Sequence, residues 1–262
     1  MENFDSRPRL NRSASAGTRT SRKSNAPDFQ SREDQARSRA GLLVRHPGTT
    51  LRWSEISNAP SRIVAEAEPL SAPASEPLTT RGKSFISENR DLFRLTSRDL
   101  SGLRITRNDR NPRGTASHVS YSQSLNGIDI FQAAMSVHAD SRGAIVAVDG
   151  ELIPDAASLT NTTSPTVSVE SALLKAAGFV DVASANQYAA ISVSRSADRK
   201  TTFPANEQFS KPVEARLVYF PISSSSLRLA WEFTLWMANS PDVYLVLVDA
   251  QKSTLLFRHN YT

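Results

Sequence analysis

The hydrophobic positions of this chain keep two rhythms, a helical one followed by a strand-like one, and the succession occurs twice. Phe85, Ile86, Leu92 and Phe93 stand at i, i+1, i+7 and i+8, the spacing of one helix face, while Lys83, Glu88, Arg90 and Arg94 fall elsewhere on the wheel. A helix is predicted there, with Thr79 or Thr80 as its cap and Arg94 on the wet side. The period then becomes two. Leu103 and Ile105, then Val119, Tyr121 and Leu125, then Ala133, Met135 and Val137, then Ala144, Val146 and Val148 alternate with polar residues. That is the pattern of an antiparallel sheet with one face wet and the other covered by the helix.

The hairpin at Asn126-Gly127 constrains the register. A plain two-residue turn would pair Val119 with Ala134 and set Met135 opposite His118, against the alternation. A three-residue loop or a bulge near Phe131 pairs Val119 with Met135 instead, so one extra residue is predicted in this hairpin.

The second succession starts near residue 165. Ser168 is a good N-cap, Ala172 to Ala177 is strongly helix-forming, and Gly178 stands where a C′ glycine ends a helix. Strands are predicted at 188–194, 213–221, 227–237, 243–249 and 254–258. Leu227, Leu229, Trp231, Phe233, Leu235 and Met237 share one strand face and read as core, whereas Trp236 lies on the other face beside Glu232 and Thr234. Because tryptophan is enriched at interface hot spots, Trp236 is the candidate contact for a partner, with ordinary partial burial as the alternative.

The predicted class is α+β: two tandem modules, each a helix packed on an antiparallel sheet, behind a disordered N-terminal arm. The arm is 1–45, a short hairpin and Pro-rich linker occupy 46–80, and the modules are 81–155 and 165–262. Within 46–80, Thr50–Ser54 and Arg62–Ala65 read as a strand pair, and Pro69, Pro73 and Pro77 mark an extended linker.

Charge separates the arm from the rest. Residues 1–45 hold ten Lys/Arg against five Asp/Glu, and the remainder holds 21 of each sign, so the formal charge of +5 comes from the arm. A basic stretch with so little apolar surface does not offset its ordering entropy. It lacks the interleaved aromatics of a nucleic-acid binder, and the neutral remainder does not extend the patch, so the sequence does not point to nucleic acid. There is no cysteine, which excludes thiol catalysis and Cys-based zinc sites. No apolar h-region opens the chain and no run is long enough to span a membrane, so neither a signal peptide nor a membrane anchor is visible.

Candidate chemistry is sparse. The four histidines are His46, His118, His138 and His259. His118 and His138 fall on one polar face of neighbouring strands, as diagonal neighbours about 7 to 8 Å apart. Two ligands on a solvent face fall short of the three that a hydrolytic zinc site needs. Ser223–Ser226 lacks a nucleophile elbow, Asp149 and Asp249 read as turn caps at strand ends, and no phosphate loop is present. No catalytic or metal-ligating residue is predicted, and the chain is not expected to be an enzyme.

The stretch Phe85-Ile86-Ser87-Glu88-Asn89-Arg90-Asp91-Leu92-Phe93, with Asn126-Gly127-Ile128, resembles the fungalysin/thermolysin propeptide (FTP) domain of secreted zinc metallopeptidases of the fungalysin class. The ending Trp231-Glu232-Phe233, then Tyr244 to Ala250, then Leu255 to Arg258, resembles the PepSY-like module of such pro-regions, although Gln251-Lys252-Ser253 replaces the usual turn glycine. The resemblance implies structural roles for Phe85, Asn89, Arg90, Asp91, Leu92, Phe93, Asn126, Gly127, Trp231 and Asp249. It implies a processing junction at Arg258-His259-Asn260-Tyr261-Thr262, and an extracellular location. The His-Glu-x-x-His zinc helix of the peptidase does not occur in these residues. The expectation is therefore a non-catalytic prodomain, intramolecular chaperone and inhibitor of a cognate zinc metallopeptidase. Zinc is expected only in the peptidase domain, which this sequence lacks. A stand-alone inhibitor or chaperone acting in trans is the alternative, and a basic nucleic-acid-binding protein is the more remote one.

Overall fold

The structure is a computed structural model describing residues 1–7, 30–111, 115–182 and 188–262. Its elements begin with β1 (Phe4–Asp5), α1 (Arg32–Arg45), β2 (Thr49–Trp53), β3 (Pro60–Ala65), α2 (Leu78–Glu88), α3 (Arg90–Phe93) and α4 (Ser97–Ser101). They continue with β4 (Leu103–Arg110), β5 (Ala116–Leu125), β6 (Ile128–Asp140), β7 (Ile145–Glu151), α5 (Ala156–Leu159) and α6 (Val169–Gly178). The chain closes with β8 (Ser192–Val193), β9 (Thr201–Phe203), β10 (Val213–Ser223), β11 (Ser226–Trp236), β12 (Val243–Asp249) and β13 (Leu255–Asn260). This is an α+β protein. Two compact units divide it: a helix-covered unit ending at Leu125 and resuming over Gln132–Leu159, and a meander unit made of the chain start, Asn126–Phe131 and Thr160–Thr262.

In the helix-covered unit the strand order is β4-β5-β6-β7-β3-β2. Phe85, Ile86, Leu92 and Phe93 are all buried and pack with Val119, Tyr121, Met135 and Val137, as the periodicities predict. The predicted single helix is two pieces. It starts at Leu78 behind Pro77 with no side-chain cap, so neither Thr79 nor Thr80 caps it, and it breaks at Asn89. The one-turn α3 stops at Arg94, whose φ of 58° is left-handed. Arg94 is buried rather than wet, and its Nε donates to the Gln30 carbonyl at 3.3 Å. A charge outside the apolar stripe looks solvent-facing on a wheel, but a left-handed stop turns its side chain off that wheel.

Asn126 and Gly127 take φ values of 54° and 79°, a two-residue hairpin turn. The predicted irregularity follows it. Burial alternates on Ile128 and Ile130, then shifts phase to Phe131, Ala133, Met135 and Val137, and Gln132 between them takes a φ of 57°. Ser120 Oγ lies 2.8 Å from Ser136 Oγ, so even-numbered residues of β5 and later β6 share the polar face. Gly150 in β7 has a φ of 115°, and a Cβ there would stand 2.2 Å from the Ala134 carbonyl oxygen. Only glycine allows that approach.

Three boundaries differ from the sequence expectation. Residues 32–45 are not a disordered arm but helix α1, started by a Ser31/Asp34 capping box, with Glu33 and Asp34 at its positive end and Arg45 at its negative end. Leu42 is 1% exposed, and Gln35 Nε2 donates to the carbonyls of Asn58 and Leu92, both at 2.9 Å. One buried leucine and one satisfied amide hold a segment whose average composition argues against order. Residues 8–29 of the expected arm lie outside the described residues. The hairpin β2-β3 is not separate from the sheet, since β3 pairs with β7 at Ile63↔Val148. The linker is pinned: Leu70 is buried and its amide donates to the Ile145 carbonyl at 2.7 Å.

In the meander unit the order is β1-β13-β12-β11-β10, with β9 on β10 and β8 on β9. Asp129 and Ile130 pair in parallel with Val218 and Tyr219, so the sheet is not purely antiparallel. α6 covers β11 and β12, and its Ser168 cap is present. Gly178 stays within the last helical turn; the left-handed residue is Asp181, and the Val182 amide closes the turn on the Ala177 carbonyl. Phe131, Phe220 and Phe257 form an aromatic core with centroids 5.0 to 6.4 Å apart. β9 went unpredicted because three residues are too few to show alternation. Phe4 and Asp5, also assigned to the arm, pair with Arg258 and Phe257.

Candidate functional site

The motif residues of α2 and α3 build an apolar floor with one polar bolt. Asn89, buried at the helix break, donates from Nδ2 to the Phe85 carbonyl at 2.9 Å, which ties the end of α2 to the start of α3. Arg90 and Asp91 point outward, 3.7 Å apart, both partly exposed. Phe85, Leu92 and Phe93 are covered, so they serve packing.

A second polar cluster had no counterpart in the sequence reading. Asp99 closes a capping box with Thr96 at the start of α4. Its carboxylate also accepts the amides of Asp155 at 2.7 Å and Ala156 at 3.1 Å, holding the segment after β7. Burial pushes this carboxyl above its ordinary value, opposed by the bonds from Thr96, Asp155 and Ala156. Gln123 bonds both ways to Ile153, accepting its amide at 2.7 Å and donating to its carbonyl at 2.8 Å. Thr96-x-x-Asp99 was the signal available in the sequence.

His118 and His138 share the polar face, with ring centroids 6.0 Å apart. Each turns Nε2 to its own carboxylate, His118 to Asp109 at 3.4 Å and His138 to Asp149 at 2.5 Å. No group of three or more His, Asp or Glu able to hold a metal occurs among the described residues.

In the meander unit Trp231 is buried and its Nε1 donates to the Val167 carbonyl at 2.9 Å, fixing the entry to α6. Asp249 pairs with Arg228 at 2.7 Å and accepts the amides of Gln251 and Lys252 at 2.8 and 2.9 Å. In the turn that follows, Ser253 takes a left-handed conformation, φ 56°, which glycine would adopt without strain. Trp236 stands at the end of β11, 37% exposed, with Lys211 Nζ 3.4 Å from its ring centroid. On the same strand face, Arg216 is held between Glu232 at 2.7 Å and Asp129 at 3.0 Å. An indole under an ammonium, beside a neutralised ion-pair row, suits a contact that is part apolar and part charged.

Arg258, His259 and Asn260 lie in β13, between β12 and β1. Arg258 Nη1 donates to the Phe179 carbonyl at 2.6 Å and Nη2 to the Glu2 carbonyl at 2.5 Å. Tyr261 and Thr262 lie past the strand and are exposed.

Residues 101–152, which span β4 to β7, match the family model of the Fungalysin/Thermolysin Propeptide Motif. Among solved structures, the Bacillus megaterium YpeB C-terminal domain is similar at 9% identity, with a TM-score of 0.34, over 88% of this chain and 98% of that one. No curated protein matches the chain. No helix among the described residues is long and apolar enough to cross a membrane.

Proposed function

We propose that the chain is a non-catalytic pro-region that binds the catalytic domain of a cognate zinc metallopeptidase, assists its folding and blocks its cleft. The observation that carries this reading is the propeptide-motif match, which coincides with the four consecutive strands β4 to β7. The physics is linkage. A partner that binds the native enzyme stabilises it in proportion to occupancy, and one seated over the cleft also excludes substrate. Zinc belongs to the peptidase in this reading, the chain's own residues make and break no bond, and the complex forms outside the cell. Trp236 is the side chain we assign to the contact, because its indole is partly exposed at the end of β11, on the face that also carries Thr234 and the Glu232–Arg216 pair.

The test is titration of the purified chain into a fungalysin-class catalytic domain, following casein hydrolysis and, separately, refolding yield. Stoichiometric inhibition and a raised yield are expected, both weakened about tenfold or more by Trp236→Ala. An enzyme whose activity and refolding ignore the chain overturns the proposal.

A further inference from the structure

Strand β4 is a charged sheet edge that nevertheless exposes an apolar residue, Ile105. Strands at a sheet edge are ordinarily shortened, charged or covered, because their unpaired N–H and C=O groups accept another strand. β4 pairs with β5 and with no other strand among the described residues. Its register against β5 sets Ile105 opposite Tyr121 and Asn108 opposite Val119, with an irregularity between Ile105 and Arg107. Tyr121 and Val119 are buried under α2, yet Ile105 on that same face is 50% exposed and Asn108 is exposed too. The covered core reaches Leu103 at the start of β4 but not Ile105 or Asn108, so the core side of the sheet runs past its cover along this strand. On the opposite face stand Arg104 and Arg107, opposite Ser122 and Ser120.

We infer that β4 is a docking edge for an extended acidic segment of a partner protein, added as a further strand. Backbone groups supply the ladder, an apolar residue of the incoming strand covers Ile105, and carboxylates on its other face meet Arg104 and Arg107. The strand holds three arginines, Arg104, Arg107 and Arg110, against one acid, Asp109. A second copy of this chain laid antiparallel on the same edge brings arginines against arginines, so the charges that attract an acidic strand also reject self-pairing. The edge keeps this property whether or not the partner is a peptidase.

Fluorescence polarisation of the full chain with short labelled peptides tests it. A peptide of alternating Glu and Val is expected to bind saturably. The same peptide with alternate amides N-methylated, and an alternating Lys–Val peptide, should each bind at least about tenfold more weakly. Arg104→Glu with Arg107→Glu, both exposed changes, should reverse the preference toward the Lys–Val peptide. Equal binding of the N-methylated peptide, an unchanged preference in the double variant, or no binding of any peptide overturns the inference. So does concentration-dependent dimerisation that protects β4 amides from exchange, since a second copy would then occupy the edge.

Discussion

The two units are held together differently. The meander unit rests on long ladders: β10 and β11 run side by side for about their whole length, β12 and β13 follow, and an aromatic core fills one side. The helix-covered unit has interrupted helices and many chain crossings, and side chains bolt its backbone at each. Gln35 reaches two carbonyls, Asn89 spans the α2/α3 break, Asp99 and Gln123 hold the segment after β7, and Arg81 Nη2 donates to Ser71 Oγ at 2.8 Å and the Ala72 carbonyl at 2.9 Å. A ladder satisfies its own backbone. A turn away from a ladder leaves donors and acceptors that something else must meet. Deleting a bolt is accordingly expected to be felt mainly in the helix-covered unit, and deleting an apolar anchor in both.

The largest effects test the shared part. Phe93→Ala and Trp231→Ala should each cost about 3–5 kcal/mol, read as lowered denaturant midpoints and as faster amide exchange in β5 and in β11 respectively. A small effect for either would mean its face is not the anchor of its unit. Next comes a pair of buried carboxylate sites. Asp99→Ala strands the amides of Asp155 and Ala156, and Arg228→Ala leaves Asp249 with its turn amides but no cation. Asp99→Ala should cost on the order of 3 kcal/mol by thermal unfolding, and Arg228→Ala only about 1 kcal/mol, because Asp249 keeps its turn amides within a ladder that satisfies its own backbone. If only Arg228→Ala registers, the bolts do not matter and the comparison fails.

Arg94→Ala is the sharper case, because its helical-wheel position predicts next to nothing while its burial predicts about 1–3 kcal/mol. A denaturant midpoint equal to that of the unsubstituted chain would restore the wheel. The alkaline limb is next. Burial pushes the Tyr121 hydroxyl up to about 12, with a backbone hydrogen bond at Lys83 acting the other way, and the hydroxyl donates to the Thr79 carbonyl at 2.6 Å. The folded state thus favours the protonated phenol. Its contribution is whole below the unfolded value of about 10 and lost as pH rises from there through about 12, on the order of 2 kcal/mol. Tyr121→Phe should flatten that part of the stability–pH curve. The smallest change expected is His118→Ala, under about 0.5 kcal/mol, since its bond to Asp109 is long and half exposed.

Much of this fold was legible before any coordinates. Period-two alternation located the long strands, the helical face of Phe85 to Phe93 was placed correctly, and parity of alternation across Asn126-Gly127 demanded the extra residue found at Gln132. Where signals were single residues, reading failed. α1 depends on Leu42 and Gln35 within a basic stretch, and β9 is three residues long. Of the candidate site, the exposure of Trp236 could be inferred from its strand face; the ammonium over its ring could not, because Lys211 approaches from another part of the chain.

By itself, then, the sequence determined the elements whose residues repeat: a periodic stripe repels water on one side whatever it later packs against, so its geometry is local. Only the tertiary structure decided where isolated polar residues belong. Whether Asn89, Arg94, Asp99 or Gln123 is wet or buried depends on which orphaned backbone groups lie within reach of it. For Arg94, Asp99 and Gln123 those groups come from segments far away in the chain, as the Asp99 bond to Asp155 and the Gln123 bonds to Ile153 show, and no local pattern records their approach.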